Sequence, residues 1–203
     1  MLWFFLGWFL LLRVIFWLLP FPNPDEAYYW LWGQHPALSY YDHPPLIAWV
    51  EGLFTAGLGR SSFTLRLPTF FANLGFFYLI FLCLRYLYGD RAQSYFGMVC
   101  LAIVASPLYF MFLALAWPDA LMIVFSLLAA YWFVRFIDGY AQDGRGKSWQ
   151  LYGASGAIAL AVLAKYNAVF VPLGFLATVI SSSRLRPLLR DRRVYGAMSI
   201  AAI

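Results

Sequence analysis

The chain has 203 residues, of which 64% are hydrophobic and only 11% charged, with a formal net charge of +5. An ordinary soluble domain carries roughly a quarter charged residues, so this excess of apolar side chains excludes a water-soluble globular protein of this length. The positive balance concerns the membrane topology argued below rather than nucleic acid, and no nucleic-acid partner is expected.

The first apolar run, residues 2–19, approaches the ~20 residues that span a bilayer. It lacks the basic start and small-residue cleavage site of a signal peptide, so a retained first span is expected. A polar, aromatic segment follows over 21–66. Within it, "PDEAYYWLWG" reads as a short helix, with Pro24 and two acids in the first turn and Gly33 at the end. A second short helix is expected from Pro44–Pro45 through "LIAWVEGLF". Tyr and Trp residues suit the lipid–water boundary, so this segment is expected to form an interfacial ledge. Further spans are expected at 68–88, 95–116, 120–137, 151–164 and 168–181, with another beginning at 194–203. Pro107 and Pro172 are expected to bend their helices, and "DGYAQDGRGKSW" (Asp138–Trp149) reads as a solvated loop. Continuous apolar runs without alternation argue for helices, not barrel strands. The expected fold class is therefore an all-α polytopic transmembrane bundle. The chain ends inside an apolar run, which reads as the N-terminal transmembrane part of a longer protein whose C-terminal part is absent.

Charge assigns the sides. Arg85, Arg91, Arg135, Arg145, Lys147 and the arginines from Arg184 to Arg193 fall at one set of turns. Asp25, Glu26, Asp42, Glu51 and Asp119 fall at the other, together with Lys165 at the turn in "AKYNA". The acidic set is expected to face away from the cytoplasm. Cys83 and Cys100 lie in apolar runs and show neither metal spacing nor a disulfide framework.

Singly, the polar residues have simple explanations. Asp25 and Glu26 suit a helix start, Asp119 an N-cap after Pro118, Asp42–His43 an extended turn before proline, and Tyr40 and Tyr41 an interfacial anchor. Arg13 in the first span reads as a snorkelling residue. Lys165 is harder to dismiss, because an ionisable group inside apolar sequence is costly unless paired or at the interface. Taken together, acids and a base gathered at one membrane face resemble a site.

Five segments in order, "PDEAYYW", "YYDHPPLIAW", "RLP" (Arg66–Pro68), "WPDALMIVFSLL" and "LAVLAKYNAVFVPL", resemble the N-terminal part of the GT-C glycosyltransferases. More narrowly they are similar to bacterial relatives of dolichyl-phosphate-mannose–protein mannosyltransferase and of the lipid A aminoarabinose transferase. The resemblance implies a multi-pass enzyme of the bacterial inner membrane, with membrane lipids around it and a polyprenyl-phosphate-linked sugar as donor. Its active site would face the periplasm, and its acceptor is left open. It maps the catalytic carboxylates onto Asp25, with Glu26 beside it, and Asp119. It maps contacts to the donor phosphate or a divalent metal ion onto Asp42 and His43, and a phosphate-facing lysine onto Lys165. Tyr28 and Tyr41 complete the expected substrate-binding set. This chain has His43 where some aminoarabinose-type members carry lysine, and Tyr28 where they carry arginine, which argues against their particular sugar and acceptor. The competing expectations are a transporter or flippase of lipid-linked substrates, disfavoured by the absence of repeats and midplane polar residues, and a catalytically inactive scaffold.

Overall fold

The computed structural model describes residues 1–18 and 23–202; Leu19, at the end of the first expected span, the start of the expected ledge at 21–22, and Ile203 lie outside it. Every regular element among the described residues is helical. The architecture is all-α, with the apolar helices of a GT-C type membrane protein.

The chain divides into two compact units, Met1–Leu121 and Met122–Ile203. In the first, α1 (Leu2–Leu18) has no buried residue, and Trp3, Phe4, Trp8 and Val14 are exposed. A helix apolar all round with its large side chains outward suits lipid rather than water. Two short helices follow, α2 (Pro24–Gly33) and α3 (Leu46–Leu58), then the long α4 (Ser62–Tyr88). The polypeptide continues through a short 3₁₀ turn into α5 (Ala92–Ala105) and α6 (Pro107–Phe112). Helix α1 packs on α4 and α5, and α3 packs on both α2 and α4. The α2–α3 contact is backbone to backbone: a Cβ added at Gly52 would lie 2.5 Å from the carbonyl oxygen of Gly33. Only glycine permits that approach, and it fixes the two ledge helices against each other.

The long helix α7 (Pro118–Asp143) begins in the first unit and continues into the second, where α8 (Ser148–Ala164), α9 (Phe170–Ser181) and α10 (Arg192–Ala201) follow. Stacked rings of Phe133 and Phe175, 4.1 Å between centroids, join a core of Phe136, Leu151, Leu188 and Ala197. An apolar cavity of about 310 Å³ remains beside this core. The stretches Ser62–Ala105 and Pro118–Gln142 are long and apolar enough to cross a membrane, and Leu2–Leu18, Ser148–Ala164 and Tyr166–Ser181 are shorter apolar helices.

Four local departures from the sequence reading have physical causes. Helix α4 begins at Ser62, ahead of the expected 68, because the Ser61 hydroxyl accepts a hydrogen bond from the Thr64 amide and caps it; Pro68 then lies inside the helix. The expected 95–116 span is broken where Ser106 is extended, so Pro107 opens a new helix instead of bending one. Helix α7 runs on to Asp143 and α8 begins at Ser148, so most of the expected Asp138–Trp149 loop is helical and the turn shrinks to 144–147. Gly144 and Gly146 make that turn with positive φ. Pro172 falls in the first turn of α9, where a missing N–H costs nothing.

Candidate active site on the ledge

Helix α2 starts with a reciprocal cap. The Glu26 amide donates to the Asn23 side chain at 2.8 Å, and the Asn23 amide donates to the Glu26 carboxylate at 3.0 Å. Two orphan N–H groups of the helix start are thereby satisfied. The same carboxylate is gripped by Arg66 of α4, whose Nε and Nη2 donate to Oε1 and Oε2, each at 2.7 Å. The Ala116 amide also donates to Oε1, at 2.8 Å. Arg66 uses Nη1 on the carbonyl oxygen of Trp17, at 2.9 Å. Both side chains are fully buried. One ion pair therefore ties together the end of α1, the start of α2, α4 and the segment leading into α7.

Two neighbouring bonds hold that segment further. Thr69 donates to the Leu115 carbonyl at 3.1 Å, and Asn73 to the Leu113 carbonyl at 2.6 Å. They position the turn before Pro118, which opens α7 and places Asp119 in its first turn rather than at an N-cap.

With Glu26 saturated, Asp25 is the carboxylate of the pair left at the surface of α2. Adjacent helix positions differ by ~100°, so burying one side chain turns the next outward. Behind them sits Tyr29, 7% exposed. Burial raises its phenol above the ordinary range, and the carboxylates of Asp25, Asp42, Asp119 and Glu51, in that order, push it further. The acids that act on Tyr29 come from α2, the following loop, α7 and α3. Its hydroxyl lies 3.3 Å from His43 Nε2, and His43 Nδ1 lies 3.1 Å from Asp42 Oδ1. The second approach is close but poorly aligned for a hydrogen bond, leaving Nδ1 as a contact of charge more than of geometry. Both imidazole nitrogens face neighbours, and no group of three His, Cys, Asp or Glu among the described residues could hold a metal.

The remaining expected residues are placed differently. Tyr28 is exposed and packs its ring 4.2 Å from that of Trp32. Tyr41 is 96% exposed. Lys165 belongs to the second unit, half-buried and extended between α8 and a 3₁₀ turn. The sequence reading gave no role to Tyr29, Arg66 or Glu51. Arg66 did carry a signal, being a lone arginine in an apolar stretch that must find a partner.

Glu51 is fully buried, and neither carboxylate oxygen has a hydrogen-bond partner among the described residues. Desolvation, then the charge of Glu26, raise its pKa well above the ordinary 4.5. Below that value both folded and unfolded forms are protonated and the site costs nothing; above it the unfolded chain ionises freely while the folded one resists. Native stability is therefore expected to fall with rising pH through this group. Glu51→Gln should stabilise the protein at pH 7, with the gain vanishing below about pH 4.5. Parallel melting profiles of the two proteins from pH 4 to 8 would refute the burial argument.

Residues 42–203 match the family described as dolichyl-phosphate-mannose-protein mannosyltransferase. The chain belongs to this family. Its sequence is also similar to the lipid A galacturonosyltransferase RgtD of Rhizobium johnstonii, 27% identical over 182 residues. That alignment covers 88% of this chain and 36% of the relative, so the chain spans about a third of that protein's length. No solved structure matches it. The matched family region contains Asp42, His43, Glu51, Arg66, Asp119 and Lys165, while Asp25 and Glu26 precede it.

Proposed function

We propose that this family member is a membrane glycosyltransferase that moves a sugar from a polyprenyl-phosphate-linked donor to an acceptor hydroxyl at the non-cytoplasmic face of a multi-pass bundle in the bacterial inner membrane. The observation that carries the reading is the division of labour in the acidic pair: Glu26 is consumed by Arg66, Asn23 and Ala116, and Asp25 stands exposed on the helix start that they lock.

In this reaction the acceptor oxygen attacks the anomeric carbon as the bond to the donor phosphate breaks, and the acceptor proton passes to a carboxylate. Asp25 is the base in this reading. Single displacement on the face opposite the phosphate inverts the anomeric centre. Asp119, in the first turn of α7, is the second carboxylate of the site. Asp42 and His43 are candidates for contact with the donor phosphate, the imidazole Nε2 exchanging its Tyr29 contact for a phosphate oxygen. Tyr28, placed beside Trp32, and the exposed Tyr41 are candidates for contact with the incoming substrates. The lipid tail of the donor explains why polar machinery is built on an interfacial ledge.

The departing phosphate also gains negative charge, which positive groups must stabilise. Lys165, an ammonium in a strongly apolar stretch, is proposed for that role. A charge-assisted hydrogen bond contributes ~1.5–3 kcal/mol, and 1.4 kcal/mol is tenfold in affinity. Lys165→Met is therefore expected to lower kcat/KM for the lipid-linked donor at least tenfold, with Lys165→Arg in between. Donor kinetics equal to wild type in Lys165→Met would remove this residue from the mechanism.

A further inference from the structure

The apolar cavity of the second unit, about 310 Å³, is walled by α7, α8, α9, α10 and the 3₁₀ turn Arg186–Arg190. Its size falls in the ~300–1,000 Å³ range of ligand pockets. Among the described residues of the wall, Ser155 alone has a polar side chain, and it spends its hydroxyl on the Leu151 carbonyl at 3.1 Å. The wall therefore suits a hydrocarbon. Leu173, Leu176, Leu189 and Met198 belong to it and are also exposed, so the cavity opens at the protein surface.

Three wall residues, Leu188, Leu189 and Val194, sit in a segment with five arginines and one acid, 184–194. The acid, Asp191, is already used. It caps α10 and accepts from Arg193 Nε and Nη2 at 3.0 and 2.7 Å. Arg193 Nη1 reaches Ser148 Oγ at 3.3 Å and the carbonyl of Gly146, which holds the 144–147 turn and its exposed Arg145 and Lys147 at the same end of the unit. Arg184, Arg186, Arg190 and Arg192 are exposed, with no further carboxylate in their own segment. Their depth follows from α9. That helix turns Phe170, Leu173, Leu176 and Ile180 outward, an apolar stripe at helical spacing that suits lipid tails. The stripe ends at Ile180, whose carbonyl accepts from Arg186 Nε at 2.9 Å. The guanidinium thus lies beside the last lipid-facing side chain, where tails give way to head groups. Exposed Trp149, Tyr152 and Tyr195 mark the same boundary, and the Tyr195 hydroxyl donates to the Leu189 carbonyl of the arginine segment.

We propose that the cavity and these arginines form one site for an anionic glycerophospholipid such as phosphatidylglycerol. An acyl chain fills the cavity, and the exposed arginines of the 184–192 run hold the phosphate. An apolar cavity alone would take any tail; cations in its own wall segment select a head group of net negative charge. The site lies at the far end of α9 from the Lys165 turn. Twelve helical residues, about 18 Å at the α-helical rise, separate the two. It is therefore distinct from the proposed donor site and does not rest on the transferase reading.

The test is the thermal midpoint of the full-length protein in neutral detergent, titrated with phosphatidylglycerol, with phosphatidylcholine of the same chains, or with glycerophosphoglycerol, the head group alone. Phosphatidylglycerol is expected to raise the midpoint saturably, with a smaller rise at high ionic strength. The other two should have little effect. The double variant Arg190→Gln/Arg192→Gln changes only exposed side chains and should need at least tenfold more phosphatidylglycerol for the same shift. Arg85→Gln/Arg91→Gln, which removes two exposed arginines of the first unit, should respond as the unaltered protein does. An equal response to phosphatidylcholine would overturn the charge selection, and an equal response to glycerophosphoglycerol would overturn the role of the cavity. Equal weakening in both double variants, or no shift with any of the three, would overturn the site itself.

Discussion

Asp25→Asn is expected to lower sugar transfer by about 10²–10⁴-fold, the usual contribution of a general base, while the protein still inserts and still binds its lipid-linked donor. Asparagine keeps the shape and polarity of the helix start and removes only the basicity. The loss should therefore appear in kcat, with donor affinity changed little. Asp119→Asn is the informative companion. Both residues lie near enough to Tyr29 to perturb it, and both occupy first turns of helices. If Asp119→Asn abolishes turnover and Asp25→Asn leaves it near normal, the base sits on α7 and the roles are exchanged. Full activity in both would reduce the two acids to helix-start charges.

The second large effect concerns folding. Removing one partner of a buried ion pair costs ~3–5 kcal/mol, because the other charge is left desolvated and unpaired. Arg66→Met strands Glu26, which would retain only the Asn23 and Ala116 amides, and it also frees the Trp17 carbonyl. The expected result is a loss of about that size in denaturant or thermal unfolding. Glu26→Gln should lose less, since an amide oxygen can still accept from Ala116. Activity per folded molecule in Glu26→Gln should fall far less than in Asp25→Asn. A Glu26→Gln protein that is fully stable but inactive would move Glu26 from the frame of the site into its chemistry.

Much of this protein is legible from local pattern. Continuous apolar runs give the all-helical class, because nothing else satisfies the backbone in a bilayer. Pro24, the acids of the first turn and Gly33 bracket α2 as expected, while the reciprocal Asn23 cap was not read from the sequence. Long-range pairing is what sequence conceals. Arg66 stands forty residues from Glu26, and no periodicity connects them; only the cost of a lone charge in apolar surroundings pointed to a partner. The choice between Tyr28 and Tyr29 is hidden for a related reason. Both fit an interfacial helix and both touch Trp32, but only Tyr29 is buried and reaches His43 of the following loop. Glu51 was counted only as part of the outer negative charge, although its burial without a partner makes it unlike the other acids. The extension of α7 through Gly139 shows the limit of reading a polar stretch as a loop, since a helical glycine costs only ~1 kcal/mol relative to alanine.

The most direct measurement is a transfer assay on the purified full-length protein in proteoliposomes, supplied in parallel with a labelled polyprenyl-phosphate sugar and the corresponding nucleotide sugar. Transfer from the lipid-linked donor alone, with inverted anomeric configuration in the product and loss of the reaction in Asp25→Asn, is the expected result. Transfer from the nucleotide sugar, or movement of the intact lipid-linked sugar across the bilayer without cleavage of its phosphate bond, would contradict it.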